Sequence, residues 1–385
     1  MSVIGAAALK RVVVDAAREA GADAVRVTAA EPDASTGRHM RESFARGDLQ
    51  TWGYDDAYAR RVSDPENALP GARSVVCCAF AYATPSPTDS APLLGRVSNY
   101  AWSSDYHPRV RNALGLVAEA IDRAAGAAVT SLACDTRPLS ERAFAARAGL
   151  GWIGKHTNLI APGLGSFVFL GEVFSTIEIA PDPPLRTSCG ACTRCVSGCP
   201  TGALRGDYTI DARRCISDLT QRTDGIPREL RPLIGQWIWG CDLCQDVCPP
   251  TRLAGNQGGD AARPVDAATA QPSLTKLLEL RSSEFKRRYR QTGMGWRGAA
   301  VLRRNAAVAL GNALDRSAVS PLARALERDP HPMVRGHAAW ALGRIGAPLA
   351  VGALRRRSTT ETDIGVREEI DAALRACAVR MRSTE

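Results

Sequence analysis

Hydrophobic positions recur at two different spacings in the N-terminal part of the chain. Ala6–Ala20 and Pro108–Ala127 place apolar side chains three or four positions apart, which predicts amphipathic helices. Ser74–Tyr82 and Ser166–Phe174 are short runs of β-branched, aromatic and small apolar residues, which predict buried strands. The alternation of the two patterns predicts a mixed α/β domain over residues 1–180.

A longer period governs the C-terminal third of the chain. Arginine, alanine and leucine each recur three times at one constant spacing, at Arg303, Arg335 and Arg367, at Ala309, Ala341 and Ala373, and at Leu310, Leu342 and Leu374. A period of this length predicts helix pairs stacked as HEAT-like repeats. Thr251–Ser273 contains several glycines and prolines and predicts a linker, so we assign 251–385 to linker and repeats.

Eight of the twelve cysteines lie in one stretch between these two regions. The stretch opens with C-x2-C-x2-C-x3-C-P, continues with a lone cysteine, and closes with C-x2-C-x3-C-P. The opening run has the spacing of bacterial ferredoxins, in which three thiolates hold one iron–sulfur cluster and the fourth binds a second cluster. We therefore predict a ferredoxin-like domain with two 4Fe–4S clusters over 181–250.

The ferredoxin cross-over rule assigns all eight cysteines to the two clusters. Cluster one takes Cys189, Cys192, Cys195 and Cys248, and cluster two takes Cys199, Cys215, Cys241 and Cys244. Two four-cysteine zinc sites are the alternative, because C-x2-C pairs also suit tetrahedral zinc. Zinc sites require neither the third cysteine at the next x2 step nor the proline after the fourth, which favours iron–sulfur.

Charge is distributed unevenly along the chain. The net charge is +9, and Thr275–Glu385 holds 21 Lys and Arg against 11 Asp and Glu, so the excess lies in the predicted repeats. This asymmetry predicts a polyanionic partner, although a solvated arginine-rich surface is the alternative. The N-terminus lacks the uninterrupted apolar core of a signal peptide, and no apolar run approaches the roughly 18 residues of a membrane span. We expect a cytoplasmic protein.

Three stretches rich in polar and aromatic residues in the first domain do not resemble packing segments. They are Arg96–His107, Asp135–Arg142 and Ala148–Ile160. The glycines of the third could let the backbone approach a large ligand, although it matches neither a P-loop nor a Rossmann fingerprint. Asp135 alone could equally cap a turn, and His107 alone could equally be a hydrogen-bonded structural residue.

Taken together, these motifs resemble the epoxyqueuosine reductase family over nearly the whole chain. The motifs that carry the resemblance are DYH at 105–107, D-x-x-P-L-S-E-R at 135–142, AGLGWIGK at 148–155, the cysteine pattern, GCDLCQDVCP at 240–249 and RNAAVALGN at 304–312. The resemblance implies an enzyme that reduces epoxyqueuosine at the tRNA wobble position to queuosine, using cobalamin and two 4Fe–4S clusters. It also implies an external electron donor such as ferredoxin or flavodoxin, and we expect a monomer.

The fold class predicted on this basis is multidomain α+β. An α/β cobalamin-binding domain related to reductive dehalogenases would be followed by the two-cluster ferredoxin-like domain and by HEAT-like repeats that bind tRNA. Asp135 corresponds to the family's proton donor and to a cobalamin contact. The other cobalamin contacts implied by the resemblance are Arg61, Ser98, Leu159, Leu170, Ser217, Asp242 and Leu243. The implied tRNA contacts are Arg222, Lys286, Trp296, Arg297, Arg304 and Asn305.

The chemistry agrees with these roles. Converting an epoxide to an alkene takes two electrons and two protons and releases water, and no side chain supplies such electrons, so a cofactor must. The departing oxygen needs a positioned acid, and we expect burial beside an apolar corrin to raise the pKa of Asp135. A ferredoxin-type electron-transfer protein is an alternative that leaves the AGLGWIGK and DYH motifs unexplained. A reductive dehalogenase-like enzyme acting on a small molecule does not predict the basic tail.

Overall fold

A computed structural model of the chain describes residues 5–85, 93–255 and 266–382. The strands are, in chain order, β1 (Ala24–Ala29), β2 (Ser74–Ala81), β3 (Arg96–Val97), β4 (Thr130–Ala133), β5 (Trp152–Ile153), β6 (Leu159–Ile160), β7 (Val168–Ser175) and β8 (Trp237–Trp239). The helices are α1 (Ala6–Glu19), α2 (Ala34–Ala45), α3 (Asp56–Ser63), α4 (His107–Ala125), α5 (Glu141–Arg147), α6 (Arg194–Ser197), α7 (Ile216–Gln221), α8 (Leu243–Asp246), α9 (Pro249–Ala254), α10 (Ala267–Ala270), α11 (Leu274–Leu278), α12 (Ser282–Arg288), α13 (Ala299–Ala313), α14 (Val319–Arg328), α15 (Pro332–Ile345), α16 (Pro348–Ser358) and α17 (Ile364–Arg382).

The chain forms two compact units, each built from three separate segments. Unit 1 contains residues 1–85, 105–213 and 243–263, and unit 2 contains 86–104, 214–242 and 264–385. These boundaries differ from the linear division that we predicted at positions 180 and 250. The reason lies within unit 2, where the short strands β3 and β8 pair in parallel and join the apolar core of the repeat helices. Local sequence patterns do not reveal such long-range pairing.

A four-stranded antiparallel sheet is the centre of unit 1. Its strand order is β1-β2-β7-β4, and the predicted strands Ser74–Tyr82 and Ser166–Phe174 are confirmed as its two central members. A Cβ on Gly171 of β7 would meet Leu114 of α4 at 2.7 Å, so this position faces α4. The neighbouring position, Glu172, consequently points to the other face, where α5 packs.

The two predicted N-terminal helices are confirmed as α1 and α4. In α1 the buried side chains are Leu9, Val13 and Ala17, which stand four positions apart and form one apolar stripe. Helix α4 begins beside Pro108 and ends at Gly126, which takes the left-handed conformation common after a helix end. These two helices pack against each other over the sheet face opposite α5.

The repeat region of unit 2 consists of helix pairs, as the period of the sequence predicted. Helices α13, α15 and α17 carry the repeated arginine, alanine and leucine at equivalent positions, with α14 and α16 between them. A Cβ on Gly311 would meet Ala341 at 2.9 Å, and one on Gly343 would meet Ala373 at 2.6 Å, so the helices pack too closely there for larger side chains. Part of the predicted linker at 251–273 lies outside the described residues.

The repeated arginines are structural residues. Arg303 contacts Asp329 through two hydrogen bonds of 2.6 and 3.2 Å, and Arg335 contacts Glu361 through two of 2.8 and 2.9 Å. The two pairs have the same separation along the sequence, so the period repeats the ion pair as well as the helix. In the described ranges, no helix has the length and apolar character that crossing a membrane requires.

Candidate active site

A cavity of about 490 Å³ lies in unit 1, and three of the predicted site residues line it: Asp135, Leu159 and Leu170. Five residues of its wall are aromatic, namely Tyr54, Tyr58, Tyr82, Tyr106 and Phe169. The rings of Tyr54 and Tyr58 stack with centroids 4.0 Å apart, and the rings of Tyr106 and Phe169 stack at 4.0 Å as well. Such walls suit a flat ligand with apolar faces, and the side chains of Asn158, Ser166 and Gln245 add polar groups to the lining.

Asp135 follows the end of β4 and adopts an unusual backbone conformation. Its φ is +55°, in the left-handed region that few non-glycine residues occupy. Its N–H is donated to Oε1 of Glu141, the first residue of α5. The Tyr106 hydroxyl donates to Asp135 Oδ2 at 3.1 Å, and His107 Nε2 lies 3.3 Å from the same oxygen. The starts of α4 and α5 therefore place three polar groups around the aspartate that follows β4.

The pKa of Asp135 is lowered from its ordinary value in this structure. The neighbouring His107 lowers the pKa most, burial in the cavity wall opposes it, and the Tyr106 hydroxyl lowers it further. The corresponding effect on His107 is a raised pKa, caused first by Asp135 and also by Asp105, whose Oδ1 lies 2.6 Å from His107 Nδ1. The two shifts favour the charged forms of both groups. The rise in pKa that we expect from burial beside a corrin stays a prediction.

His107 Nε2 is buried and lies within ion-pair distance of Asp135 Oδ2, and Asp135 has the largest single influence on the pKa of His107. The Asp135 side chain is 62% exposed, so it remains accessible from the cavity while protein atoms crowd it. A ligand in the cavity can therefore reach the carboxylate directly.

Sequence reasoning missed two carboxylates of this site. Glu141 lines the cavity and holds the Asp135 N–H, and Glu172 lies fully buried on β7. Glu141 belongs to the D-x-x-P-L-S-E-R motif, so its position in the motif was a usable signal. Glu172 is the one charged residue of the apolar run Ser166–Phe174, and a lone charge in a buried strand was the signal there.

Two of the glycines of AGLGWIGK lie against backbone atoms of the same chain. A Cβ on Gly149 would lie 2.2 Å from the Pro183 carbonyl oxygen, and one on Gly151 would lie 2.4 Å from the Ile160 carbonyl oxygen. These glycines permit the tight packing of the β5–β6 hairpin, so close approach to a ligand is not needed to explain them. This packing carries Leu159 into the cavity wall.

The remaining predicted cobalamin contacts lie at several places. In unit 1, Arg61 is exposed at the end of α3, with its guanidinium 5.9 Å from the centroid of Tyr58, and Leu243 begins α8. In unit 2, the Ser98 hydroxyl donates to Asp242 Oδ1, and the Asn99 N–H donates to Asp242 Oδ2 at 2.7 Å. Ser217 lies on α7 of unit 2, where its hydroxyl oxygen accepts a hydrogen bond from Gln221.

The four cysteines assigned to cluster one lie in unit 1 and influence one another electrostatically, although no group of three or more His, Cys, Asp or Glu in the described ranges is arranged to hold a metal ion. Burial raises the pKa of Cys195, and nearby Cys189 and Cys248 raise it further. Burial likewise raises the pKa of Cys248, and Cys189 and Cys192 add to it. Backbone N–H groups are also directed at these sulfurs, as thiolates in clusters require. Cys248 is thus influenced by cysteines that stand far earlier in the sequence, and the cross-over assignment stays a prediction.

The other four cysteines are distributed over the two units. Cys199 lies in unit 1, with its Sγ 3.5 Å from the Thr201 hydroxyl, and Cys244 lies on α8 of the same unit. Cys215 precedes α7 and Cys241 follows β8, both in unit 2. The assignment of these four to one cluster stays a prediction.

Among the residues predicted to bind tRNA, Trp296 and Arg297 form an exposed pair on unit 2. The Arg297 guanidinium lies 3.8 Å from the Trp296 ring centroid, and Trp296 is 52% exposed. Arg297 also donates to the Gln221 carbonyl at 2.7 Å, close in sequence to Arg222, which pairs with Asp224. Lys286 lies exposed on α12. Aromatic rings and guanidinium groups of this kind are common surfaces for RNA bases.

Arg304 and Asn305 do not fit the predicted direct contact with tRNA. Arg304 is 0% exposed and donates to backbone carbonyls, among them that of Leu219 at 2.8 Å. Asn305 is also buried and donates to the carbonyls of Thr220 and Ile238 at 2.7 Å each. Their side chains hold the segment 219–238 against α13 within unit 2. A basic residue in a motif does not by itself indicate a basic surface, because burial decides which charges reach a ligand.

Three segments of the chain match known family models. Residues 62–136 match the family described as "Epoxyqueuosine reductase QueG, DUF1730", which includes Asp135. Residues 188–251 match a 4Fe–4S double cluster binding domain, which favours iron–sulfur over the zinc alternative. Residues 298–375 match HEAT repeats, as the sequence period predicted.

Relatives of known name match nearly the whole chain. An epoxyqueuosine reductase from Bacillus cereus is 37% identical over 333 residues, covering 85% of this chain and 87% of the relative. One from Bacillus subtilis is 34% identical over 376 residues, covering 95% of each.

Solved structures agree with these relatives. A crystal structure of epoxyqueuosine reductase with an epoxyqueuosine-modified tRNA-Tyr stem loop has a TM-score of 0.90 and 33% identity, covering 96% of this chain and 99% of that chain. A Bacillus subtilis structure, described as having its catalytic aspartate loop swung out of the active site, has a TM-score of 0.88 and 32% identity, covering 96% of this chain and 98% of that chain. The motifs, the fold and these matches over most of the chain together show that the protein belongs to the epoxyqueuosine reductase family.

Proposed function

We propose that this protein reduces epoxyqueuosine at the wobble position of a tRNA to queuosine. The observation that carries the proposal is the carboxylate of Asp135, which lines the cavity beside Tyr106 and His107. Asp135 also occupies the position of the proton donor implied by the family motif. The relatives named above act on epoxyqueuosine, and one was crystallised with a modified tRNA stem loop.

The Asp135–His107 pair supplies the acid that the reaction needs. Opening an epoxide leaves an alkoxide, which is a poor leaving group until it is protonated. Asp135 and Asp105 raise the pKa of His107, which makes His107 the proton source of the pair, and Asp135 Oδ2, 3.3 Å from His107 Nε2, is positioned to accept a proton from it and present it to the cavity. The Tyr106 hydroxyl keeps the Asp135 carboxylate oriented, and Asp105 holds the His107 ring from the other side. A second proton completes the release of water.

Cobalamin is the cofactor that we propose for the cavity. The residues fit such a group, because stacked aromatic rings, Leu159 and Leu170 offer apolar contact while Asn158, Ser166 and Gln245 offer hydrogen bonds to its amide side chains. Arg61, Ser98, Ser217, Asp242 and Leu243 are the further proposed contacts. When bound, cobalamin supplies the strongly reducing centre that no side chain can provide.

Two 4Fe–4S clusters would supply the electrons one at a time. We propose the cross-over assignment, with Cys189, Cys192, Cys195 and Cys248 on one cluster and Cys199, Cys215, Cys241 and Cys244 on the other. The electrostatic influence of the first four cysteines on one another supports it. An external one-electron protein such as a ferredoxin or flavodoxin would reduce them.

We propose that unit 2 binds the tRNA through Trp296, Arg297, Lys286 and Arg222. An exposed indole with a guanidinium against it suits an unstacked base, and exposed lysines suit phosphates. Because the substrate is a tRNA, we place the reaction in the cytoplasm, and we expect a monomer to perform it.

Anaerobic purification followed by two measurements tests the proposal. Iron, sulfide and corrin should all be present, and an artificial reductant should support deoxygenation of epoxyqueuosine in a tRNA anticodon stem loop. Cys248→Ala should lower iron content and abolish the spectrum of the cluster held by Cys189, Cys192 and Cys195. A protein that binds clusters but no corrin, and leaves the stem loop unchanged, would instead be an electron-transfer protein. Loss of that cluster in Cys199→Ala and its retention in Cys248→Ala would contradict the cysteine assignment.

A further inference from the structure

A second carboxylate accepts a hydrogen bond from the backbone of Asp135. Its N–H is donated to Oε1 of Glu141 at the start of α5, and its backbone is left-handed at φ +55°. Non-glycine residues keep such a conformation only where neighbouring groups stabilise it. Glu141 also lines the cavity, so protons can reach it from there. One side chain therefore both supports the unusual backbone and contacts the site.

A third carboxyl group, Glu172, lies in the core behind Glu141. Glu172 pairs across the sheet with Cys77 and Ala133, and both belong to the apolar cluster that includes Phe144 of α5. Its side chain is 0% exposed, and neither oxygen has a hydrogen-bond partner among the described residues. Burial, and then the nearby charge of Glu141, raises the pKa of Glu172 well above its ordinary value. Both effects favour the neutral form of Glu172 in the folded protein.

We propose that Glu141 is a positioning residue for Asp135, and that its ionised carboxylate keeps Asp135 turned into the cavity. This inference rests on the proposed role of Asp135 in proton transfer. A charged acceptor forms a hydrogen bond about twice as strong as a neutral one. When Glu141 takes up a proton, its hydrogen bond from the Asp135 N–H weakens. The left-handed backbone of Asp135 then loses the contact that offsets its conformational cost.

The surroundings of Glu141 place this change near neutral pH. Burial raises the pKa of Glu141 to about 7, the Asp135 N–H and Arg142 lower it, and the charge of Asp135 raises it. The titratable and charged groups that face it are Asp135 and Cys134 after β4, Tyr106 and His107 at the start of α4, Arg142 on α5, and Glu172 and Cys77 in the sheet. With Glu172 neutral, Glu141 is the carboxyl group of this set that changes its charge in that range.

Two substitutions at Glu141 separate positioning from simple packing. Glu141→Ala removes the acceptor, and kcat on the modified stem loop should fall on the order of 10–100-fold while KM for the stem loop is unchanged. Glu141→Gln keeps a neutral acceptor. Its kcat should lack the rise that wild-type kcat shows through about pH 7 as Glu141 ionises, and should not exceed the level that the wild-type protein reaches at low pH.

Hydrogen exchange gives a readout that does not depend on turnover. The peptide containing Asp135 should exchange its amide protons faster in Glu141→Ala than in wild type at the same pH, because the N–H has lost its acceptor. Wild-type turnover and exchange in Glu141→Ala would overturn the proposal. So would a Glu141→Gln variant that keeps the wild-type rise in kcat near pH 7.

Glu172→Gln is the matched control. It replaces a neutral carboxyl group with a neutral amide, so the rise in kcat near pH 7 should persist. If that rise disappears in Glu172→Gln and remains in Glu141→Gln, Glu172 is the titrating group and the proposal fails. If Asp135→Asn retains full turnover, the proposed role of Asp135 fails instead, and the exchange measurement still tests whether Glu141 holds the Asp135 N–H.

Discussion

The repeat helices of unit 2 and the sheet of unit 1 both bury ionisable side chains, but they accommodate them differently. In the repeats, Arg335 meets Glu361 through two hydrogen bonds, and Arg357 adds a third at 2.9 Å. In the sheet, the buried oxygens of Glu172 have no partner among the described residues, and Asp135 keeps a left-handed backbone. Removing one partner of a buried ion pair destabilises a fold, whereas a buried ionisable group without a partner costs stability in itself and is typical of functional sites. The comparison separates the residues that stabilise the fold from those that perform chemistry.

Asp135→Asn should have the largest effect and should change activity alone. The amide keeps the size of the side chain and can still accept a hydrogen bond from Tyr106, so folding and cluster content should be preserved. It cannot carry a proton, and turnover of the modified stem loop should fall on the order of 10²–10⁴-fold. Loss of cofactor binding in this variant would show that Asp135 has a structural role. Unit 1 would then not differ from unit 2 in the way that the comparison requires.

Arg335→Met, unlike Asp135→Asn, should lower the stability of the fold. The substitution removes one of the arginine partners of Glu361, which is 0% exposed. Breaking a buried ion pair lowers the free energy of unfolding by about 3–5 kcal/mol. Urea unfolding followed by the helix signal would measure the loss. The control is Arg324→Met, which breaks an exposed pair with Glu279 at 2.7 Å and should cost less than about 1 kcal/mol. Equal losses in the two variants would contradict the structural role of the repeated pair.

The two buried glutamates should respond to pH in opposite directions. Burial alone would raise the pKa of Glu361, but Arg335, backbone N–H groups and Arg357 lower it to about 2. Its stabilising contribution is therefore complete above the unfolded-state pKa of 4.5 and is lost as pH falls towards about 2. Glu172 has a raised pKa, so its cost appears as pH rises above 4.5, where the unfolded chain ionises.

Unfolding measurements at several pH values would check this difference. At pH 7, Glu361→Gln should be less stable than wild type and Glu172→Gln more stable, each by on the order of 1–3 kcal/mol. Both differences in stability should shrink as the pH is lowered. The difference for Glu172→Gln should already shrink near pH 4.5, the pKa of the glutamate in the unfolded chain. If the two variants changed stability in the same direction at pH 7, burial without partners would not distinguish the two regions.

Lys286→Glu should have the smallest effect and should change only tRNA affinity. Lys286 is exposed, so reversing its charge leaves the buried pairs of unit 2 intact. Affinity should fall by about tenfold at low salt, and the dependence of affinity on salt should become shallower. Arg18→Glu, an exposed reversal on α1, is the control and should leave affinity unchanged. If the salt dependence of Lys286→Glu matched that of wild type, Lys286 would not contact a phosphate.

Arg304 shows why the tail could not be interpreted from its charge alone. The sequence shows a basic motif and an excess of arginine, and both agreed with a tRNA surface. The structure buries Arg304 among backbone carbonyls, and burial lowers its pKa to about 9. Arg303 and Arg335 are likewise bound to acidic partners farther along the chain. Trp296 and Lys286, which the same reasoning selected, are exposed and remain available to a ligand.

The sequence by itself determined those features of the protein that depend on local spacing. The regular period predicted the repeat helices, the alternating apolar runs predicted the central strands, and the cysteine spacing predicted a two-cluster domain, because each pattern reflects geometry over a few neighbouring positions. The tertiary structure alone decided the pKa of Asp135, the burial of Arg304 and the assembly of unit 2 from three segments. These properties depend on groups that are distant in sequence, since Tyr106 and His107, which lie beside Asp135, belong to the start of α4, and Leu219, whose carbonyl Arg304 binds, belongs to α7. Electrostatic environment and solvent exposure arise only when the folded chain brings such groups together.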